Sequence, residues 1–272
     1  MAAWGLLAGT ALPVLLAFLL YFPQRRFVFS PRYYPNRAFF KEHQAMYNLH
    51  RLQVAPDVEL EGITYESNHP SATILYFGGK EQDTVALIRK WSLEHPKVRW
   101  IGFNYRGYGK SDGRPTEKSV LHDSLMAYDW AKIRYGDIAL LGFSLGSSIA
   151  AYVASRRDPK WAVLVAPFDS VRSLIQGKAP FVPSIFIRYK FETIKFVHET
   201  IAPVYIFNSI DDEIVPSRHV ENLRAQVRCP AGTAEFSGYT HDQLLFSTTL
   251  KYELEKIFYG ADPLKARADR RL

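Results

Sequence analysis

A chain of 272 residues carries 34 Lys and Arg against 27 Asp and Glu, a net charge of +7, with 47% hydrophobic and 14% aromatic residues. That length supports one large core of ordinary globular composition, and the single cysteine, Cys229, excludes an intramolecular disulfide and a cysteine-based metal cage. The positive charge gathers after an apolar N-terminal stretch and at residues 265–271; without a basic helix or nucleic-acid motif, it suits lipid headgroups rather than nucleic acid.

Residues 3–22 (AWGLLAGTALPVLLAFLLYF) carry no charge. About 20 residues at a helical rise of 1.5 Å span roughly 30 Å, the hydrocarbon thickness of a bilayer. Trp4 and Tyr21 suit the two interfaces, and Pro13 is tolerated in a membrane helix. There is no basic leader and no small-x-small cleavage site, so an uncleaved single-pass anchor over residues 1–23 is expected rather than a signal peptide. Arg25, Arg26, Arg32, Arg37 and Lys41 follow it, which by the positive-inside rule places the downstream domain on the cytoplasmic side. Residues 24–57 form a basic and aromatic juxtamembrane segment that could line the headgroups or cover the globular body.

The globular domain is expected over residues 58–260, with a basic tail at 261–272. Short apolar runs predict strands at 60–65, 72–77, 98–104, 137–141, 161–165, 202–207 and 233–236. Between them, helical patterns cover 83–95, 118–135, 147–154, 215–227 and 242–258. Such alternation predicts an α/β domain, a mostly parallel sheet with helices on both faces.

Between the strand at 137–141 and the helix after it stands Gly142-Phe143-Ser144-Leu145-Gly146. Gly-x-Ser-x-Gly in that context is a nucleophile elbow, a sharp turn that only near-absent side chains at Gly142 and Gly146 permit. Ser144 is then raised above the sheet at a helix N-terminus, where negative charge is favoured. A serine hydroxyl needs a base, and the base an orienting acid; in this arrangement they follow the serine in the order acid, then histidine. Asp212, in Ile210-Asp211-Asp212-Glu213-Ile214-Val215-Pro216, follows a late strand at the required place, ahead of its neighbour Asp211. Asp169, after an earlier strand, is better read as a helix cap. Among eight histidines only His241 lies between the last strand and the closing helix. The two oxyanion donors are expected from the N–H of Leu145 and that of Gly79, in the turn Gly78-Gly79-Lys80-Glu81.

These residues give the chain a resemblance to the α/β-hydrolase superfamily over residues 58–258. The narrower likeness is to the membrane-associated branch of Bem46 proteins and the α/β-hydrolase-domain proteins 13 and 17. It rests on Asn104-Tyr105-Arg106-Gly107-Tyr108-Gly109-Lys110-Ser111-Asp112-Gly113-Arg114-Pro115-Thr116-Glu117, on the apolar N-terminus, and on Asp-Glu-x-Val-Pro and Gly-x-x-His around acid and base. The resemblance implies Ser144 as nucleophile, Asp212 as acid and His241 as base. The chain departs from that family at Phe77-Gly78-Gly79, where His-Gly-Asn is usual, and at Asn208-Ser209, where His-Gly is usual.

The expected activity is a membrane-anchored serine hydrolase acting on an acyl ester or thioester, with no metal, organic cofactor, nucleic acid or obligate protein partner implied. A short cap at residues 168–200, rich in Phe181, Phe186, Tyr189, Phe191 and Phe196, would suit an acyl chain, or those rings are core. A serine peptidase of the same fold and a noncatalytic membrane scaffold are the alternatives.

Overall fold

The computed structural model describes residues 24–31, 44–180 and 182–260. The apolar stretch at 3–22, the tail at 261–272 and Phe181 lie outside them, and among the described residues no helix is long and apolar enough to cross a membrane.

Eight strands form one sheet: β1 (Tyr47–Ala55), β2 (Val58–Tyr65), β3 (Ala72–Phe77), β4 (Val98–Phe103), β5 (Ala139–Phe143), β6 (Ala162–Val165), β7 (Val204–Ser209) and β8 (Pro230–Phe236), in the order β1-β2-β4-β3-β5-β6-β7-β8. β1 and β2 pair antiparallel, as do β2 and β4, and every other pairing is parallel. The central β5 and β6 are buried along their whole length, which explains why they read as unbroken aliphatic runs.

Helices cover both faces. On one side lie α3 (Glu117–Tyr135), α4 (Leu145–Arg156) and α7 (Ser217–Arg224), which contribute Ala127, Ile149 and Leu223 to a shared core with Leu75 and Leu140. On the other, α2 (Thr84–Glu94) and α9 (Thr248–Tyr259) pack Ile88, Trp91 and Phe258 against Ile74, Trp100 and Leu141. Strand residues 74 to 77 alternate between the two cores, as the pleat demands.

Two local features differ from expectation, and a third matches one of the two placements left open for residues 24–57. The strand β1 lies inside the segment 24–57, where charged and polar Arg51 and Gln53 alternate with buried Leu52 and Val54 on a sheet edge. The expected closing helix at 242–258 is two, α8 (His241–Leu245) and α9, because Ser247 turns its hydroxyl onto the Leu250 N–H and starts a new helix. The first described residues, α1 (Gln24–Val28) and Phe29, pack on the body, with Val28 and Phe29 buried.

Between β6 and β7 the cap consists of α5 (Val171–Lys178), a 3-10 turn (Ser184–Phe186) and α6 (Thr193–Glu199). Tyr189 and Phe191 are buried beside Phe29 and serve as core, whereas Phe186 is exposed. Glu117 at the start of α3 ties the cap down, accepting from the N–H groups of Lys190 (2.7 Å) and Phe191 (2.8 Å).

Candidate active site

Ser144 stands between β5 and α4 with φ 52° and ψ −115°, a conformation L-residues avoid and one that costs about 1–3 kcal/mol. Its N–H donates to the Val165 carbonyl (2.9 Å), and its carbonyl accepts from the N–H and hydroxyl of Ser147 (2.9 and 2.5 Å). A Cβ on Gly146 would lie 2.0 Å from the Phe77 carbonyl oxygen, and one on Gly142 2.2 Å from the Gly146 carbonyl oxygen. Both glycines are therefore required by close approach of backbone to backbone.

The loops after β7 and β8 bring two further groups to the serine. His241 Nε2 lies 2.8 Å from Ser144 Oγ, and His241 Nδ1 lies 2.6 Å from Asp212 Oδ2. A carboxylate only accepts, so Nδ1 carries the proton and Nε2 is left as the acceptor for the serine hydroxyl. Asp212 is fixed in turn: its other oxygen accepts from the N–H groups of Ile214 (2.8 Å) and Val215 (2.7 Å). Asp212 and His241 are both buried, and the Phe143 ring sits 5.1 Å from the imidazole. The three residues singled out in the sequence thus form one hydrogen-bonded chain.

Three side chains tie the acid loop to the histidine loop, a role the sequence motifs did not disclose. Glu213 accepts from the His241 N–H (3.0 Å), Asp211 from the Gly238 N–H (2.6 Å), and the Ser209 hydroxyl donates to the Tyr239 carbonyl (2.6 Å). Asp211 is therefore a brace across the two loops. Asp169 lies apart from this chain. Ser170, not Asp169, caps α5, and the Asp169 carboxylate meets His219 Nδ1 (2.9 Å), Asn222 and the Ser173 hydroxyl. Burial works to raise the Asp169 pKa, but these hydrogen bonds outweigh it and hold the carboxyl below its usual value.

Leu145 opens α4, so its N–H is one of the four a helix leaves without an internal partner. The Gly79 N–H is committed elsewhere: it donates to Gln82 Oε1 at 2.8 Å, an oxygen that also accepts from the Tyr76 hydroxyl at 2.7 Å. The stretch that carries the family resemblance braces this turn. The Tyr105 hydroxyl donates to the Gly78 carbonyl (2.8 Å) and the Tyr108 hydroxyl to the Lys80 carbonyl (2.6 Å). The Asn104 side chain accepts from the Thr84 N–H (2.7 Å) and donates to Asp83 (2.9 Å) and Glu61 (3.1 Å). Burial pushes the Tyr76 and Tyr105 hydroxyls well above their usual pKa, so both remain donors.

No protein-family model matches the chain. It is 27% identical over 236 residues to the lysophosphatidylserine lipase ABHD12 of Danio rerio, covering 75% of this chain and 58% of that one. An uncharacterized protein of Mycobacterium tuberculosis is 30% identical over 145 residues, 52% of each chain. The chain thus spans about half the length of the curated relatives it matches. Among solved structures, the Pyrococcus furiosus esterase Pf2001 superposes with a TM-score of 0.64 at 16% identity, covering 84% of this chain and 96% of the esterase. Est1E of Butyrivibrio proteoclasticus, solved with ferulic acid bound, superposes with a TM-score of 0.59 at 19% identity, covering 76% and 99%.

Proposed function

We propose that this chain, which has the α/β-hydrolase fold, cleaves an ester or thioester through an acyl-enzyme on Ser144 while residues 3–22 hold it to a membrane. The observation that carries the proposal is the hydrogen-bonded chain from Asp212 through His241 to Ser144. His241 Nε2 takes the hydroxyl proton as Ser144 Oγ attacks the acyl carbon, and Asp212 stabilises the imidazolium that forms. The oxyanion accepts from the N–H groups of Leu145 and Gly79. The Gly79 donor is exchanged from the neutral Gln82 amide to a charged acceptor, an exchange favoured because charge-assisted hydrogen bonds are roughly twice as strong as neutral ones. His241 then returns its proton to the leaving oxygen or sulfur. It next takes a proton from water as the water oxygen attacks the acyl carbon, and gives that proton to Ser144 Oγ as the Oγ–acyl bond breaks and the acid leaves.

For the substrate, an amphiphilic acyl ester of the lysophospholipid type is favoured. The similarity to the lysophosphatidylserine lipase ABHD12 supports that class, as does an apolar N-terminal stretch that would keep the site at a bilayer. The domain organisation that goes with it is an anchor at 1–23, a hydrolase body with a short cap, and a basic tail at 261–272. The test is Ser144→Ala in the full chain. The variant is expected to unfold at the wild-type temperature, yet lose p-nitrophenyl ester turnover and fluorophosphonate labelling; undiminished turnover would overturn the proposal.

A further inference from the structure

The first described residues start where the apolar stretch ends, and they are stitched to the cap. Gln24, 6% exposed, donates from its side-chain amide to the Phe186 carbonyl (2.6 Å) and accepts from the Arg188 N–H (2.7 Å). Behind it Phe29 meets the edges of Tyr189 and Phe191, with ring centroids 5.4 and 6.0 Å apart. Next, the Ser30 N–H donates to the Lys80 carbonyl (3.0 Å), one residue from Gly79. From Gln24 to Ser30 the chain therefore runs from the end of the apolar stretch, along the cap, to the rim of the proposed oxyanion turn.

The outer side of this same unit is apolar. Phe27 is 72% exposed and Ile185 83%, with Phe186 beside them at 36%, while the neighbouring Arg25, Arg26 and Arg188 are also exposed. Exposed bulky apolar groups with exposed arginines adjoining them in the chain are the make-up of a surface that lies in the headgroup region of a bilayer. We infer that α1 and the turn at residues 184–188 form a bilayer-docking face. Phe27, Ile185 and Phe186 enter the lipid interface, with Arg25, Arg26 and Arg188 at headgroup level. The inference rests on the proposed anchor. If the membrane span ends at residue 22, the two-residue step to Gln24 reaches at most about 7 Å, so the cap cannot stand clear of the bilayer. The turn at residues 78–81, joined to this face through the Ser30 N–H, then lies on the lipid side, and an amphiphilic ester reaches Ser144 from the membrane rather than from water.

The test uses the full chain in phosphatidylcholine–phosphatidylserine vesicles, with Cys229→Ser as background because Cys229 is the only cysteine. One environment-sensitive fluorophore is placed through Ile185→Cys. Another goes through Ile133→Cys, equally exposed at 83% but at the far end of α3, beside the start of β5 and away from the elbow. The label at position 185 is expected to blue-shift and to be quenched by spin-labelled lipid, and the label at 133 to do neither. If the two labels behave alike while the chain floats with the vesicles, the docking face is wrong and the anchor stands. If the chain does not float, the anchor fails and the inference falls with it. In a second arm, Ile185→Asp with Phe27→Asp should lower turnover of vesicle-borne lysophospholipid by at least about tenfold and leave that of p-nitrophenyl butyrate unchanged. Equal turnover on both substrates would overturn it.

Discussion

Replacing Asp212 by Asn tests the proposed chemistry at a single proton. In the folded chain one carboxylate oxygen of Asp212 accepts from the N–H groups of Ile214 and Val215, and the other faces His241 Nδ1 at 2.6 Å. An asparagine there has no freedom to flip. Its carbonyl oxygen must face the two backbone donors, which leaves its NH2 toward the imidazole. His241 Nδ1 is then forced to accept, Nε2 must carry the ring proton, and the group beside Ser144 Oγ can no longer take a proton. Loss of the correct tautomer in a serine–histidine–aspartate arrangement costs roughly ten-thousandfold in kcat, or about 5 kcal/mol of transition-state stabilisation. The substitution conserves volume and both backbone hydrogen bonds, so the thermal midpoint should hardly move. Initial rates on a p-nitrophenyl ester, with fluorophosphonate labelling in parallel, supply the measurement. A variant that stays within about tenfold of wild type would show that His241 does not work through Asp212.

Three further substitutions test specific contacts. Gln82→Ala releases the Gly79 N–H from a competing acceptor worth about 1 kcal/mol net, so kcat on a soluble ester should rise about fivefold; a fall would show that turnover needs Gln82. The same change leaves the buried Tyr76 hydroxyl without its acceptor and should lower unfolding stability by about 1–3 kcal/mol in denaturant titrations. Gly146→Ala drives a Cβ to within 2.0 Å of the Phe77 carbonyl oxygen and should cost about 3 kcal/mol or more, read as loss of the folded fraction; a wild-type melting profile would contradict the close approach. Asp169 has a folded pKa below its unfolded value of about 3.9, so its contribution is fully present above that pH and disappears as pH falls through the lower folded value. The stability gap between wild type and Asp169→Asn should therefore hold from neutral pH to about 4 and shrink below it, and a gap independent of pH would refute the coupling.

Residues whose role is set by chain order were legible in the sequence, and residues whose role is set by an unusual neighbour were not. The elbow could be read because Gly142 and Gly146 are demanded by backbone contact, and backbone contact leaves a fixed spacing. His241 and Asp212 could be read because the order of strands dictates which loops meet at the end of the sheet. The strand β1 was hidden because, as an edge strand, it alternates Arg51 and Gln53 with buried Leu52 and Val54 and so lacks the unbroken apolar run that marks the central strands. The break at Ser247 was hidden by the apolar residues on either side of it, which keep a helical period although Ser247 caps a new helix. Nothing local marks Gln82 as the partner of the Gly79 N–H, since that hydrogen bond depends on how the turn at 78–82 closes in three dimensions.

The departure at Phe77-Gly78-Gly79 acquires a physical explanation from the same contacts. A family that places His-Gly-Asn at that turn has side chains there able to hold the loop, and Phe77 and Gly79 can supply no such hydrogen bonds. Here Gln82 holds the Gly79 N–H from within the turn, and the remaining support comes from outside it. Tyr105 and Tyr108 donate to the Gly78 and Lys80 carbonyls, and Asn104 holds the Thr84 N–H that opens α2. All three belong to the long loop after β4, the stretch in which the resemblance is most specific. Gly109 in that loop, at φ 52°, brings the backbone so near Asn104 that a Cβ would lie 2.1 Å from its amide nitrogen. The loop is therefore folded so as to brace a turn it does not belong to, and the turn can dispense with polar side chains at positions 77 and 79. The Ser30 N–H shares the Lys80 carbonyl with Tyr108, so the segment leading from the proposed membrane span and the loop after β4 hold the same point.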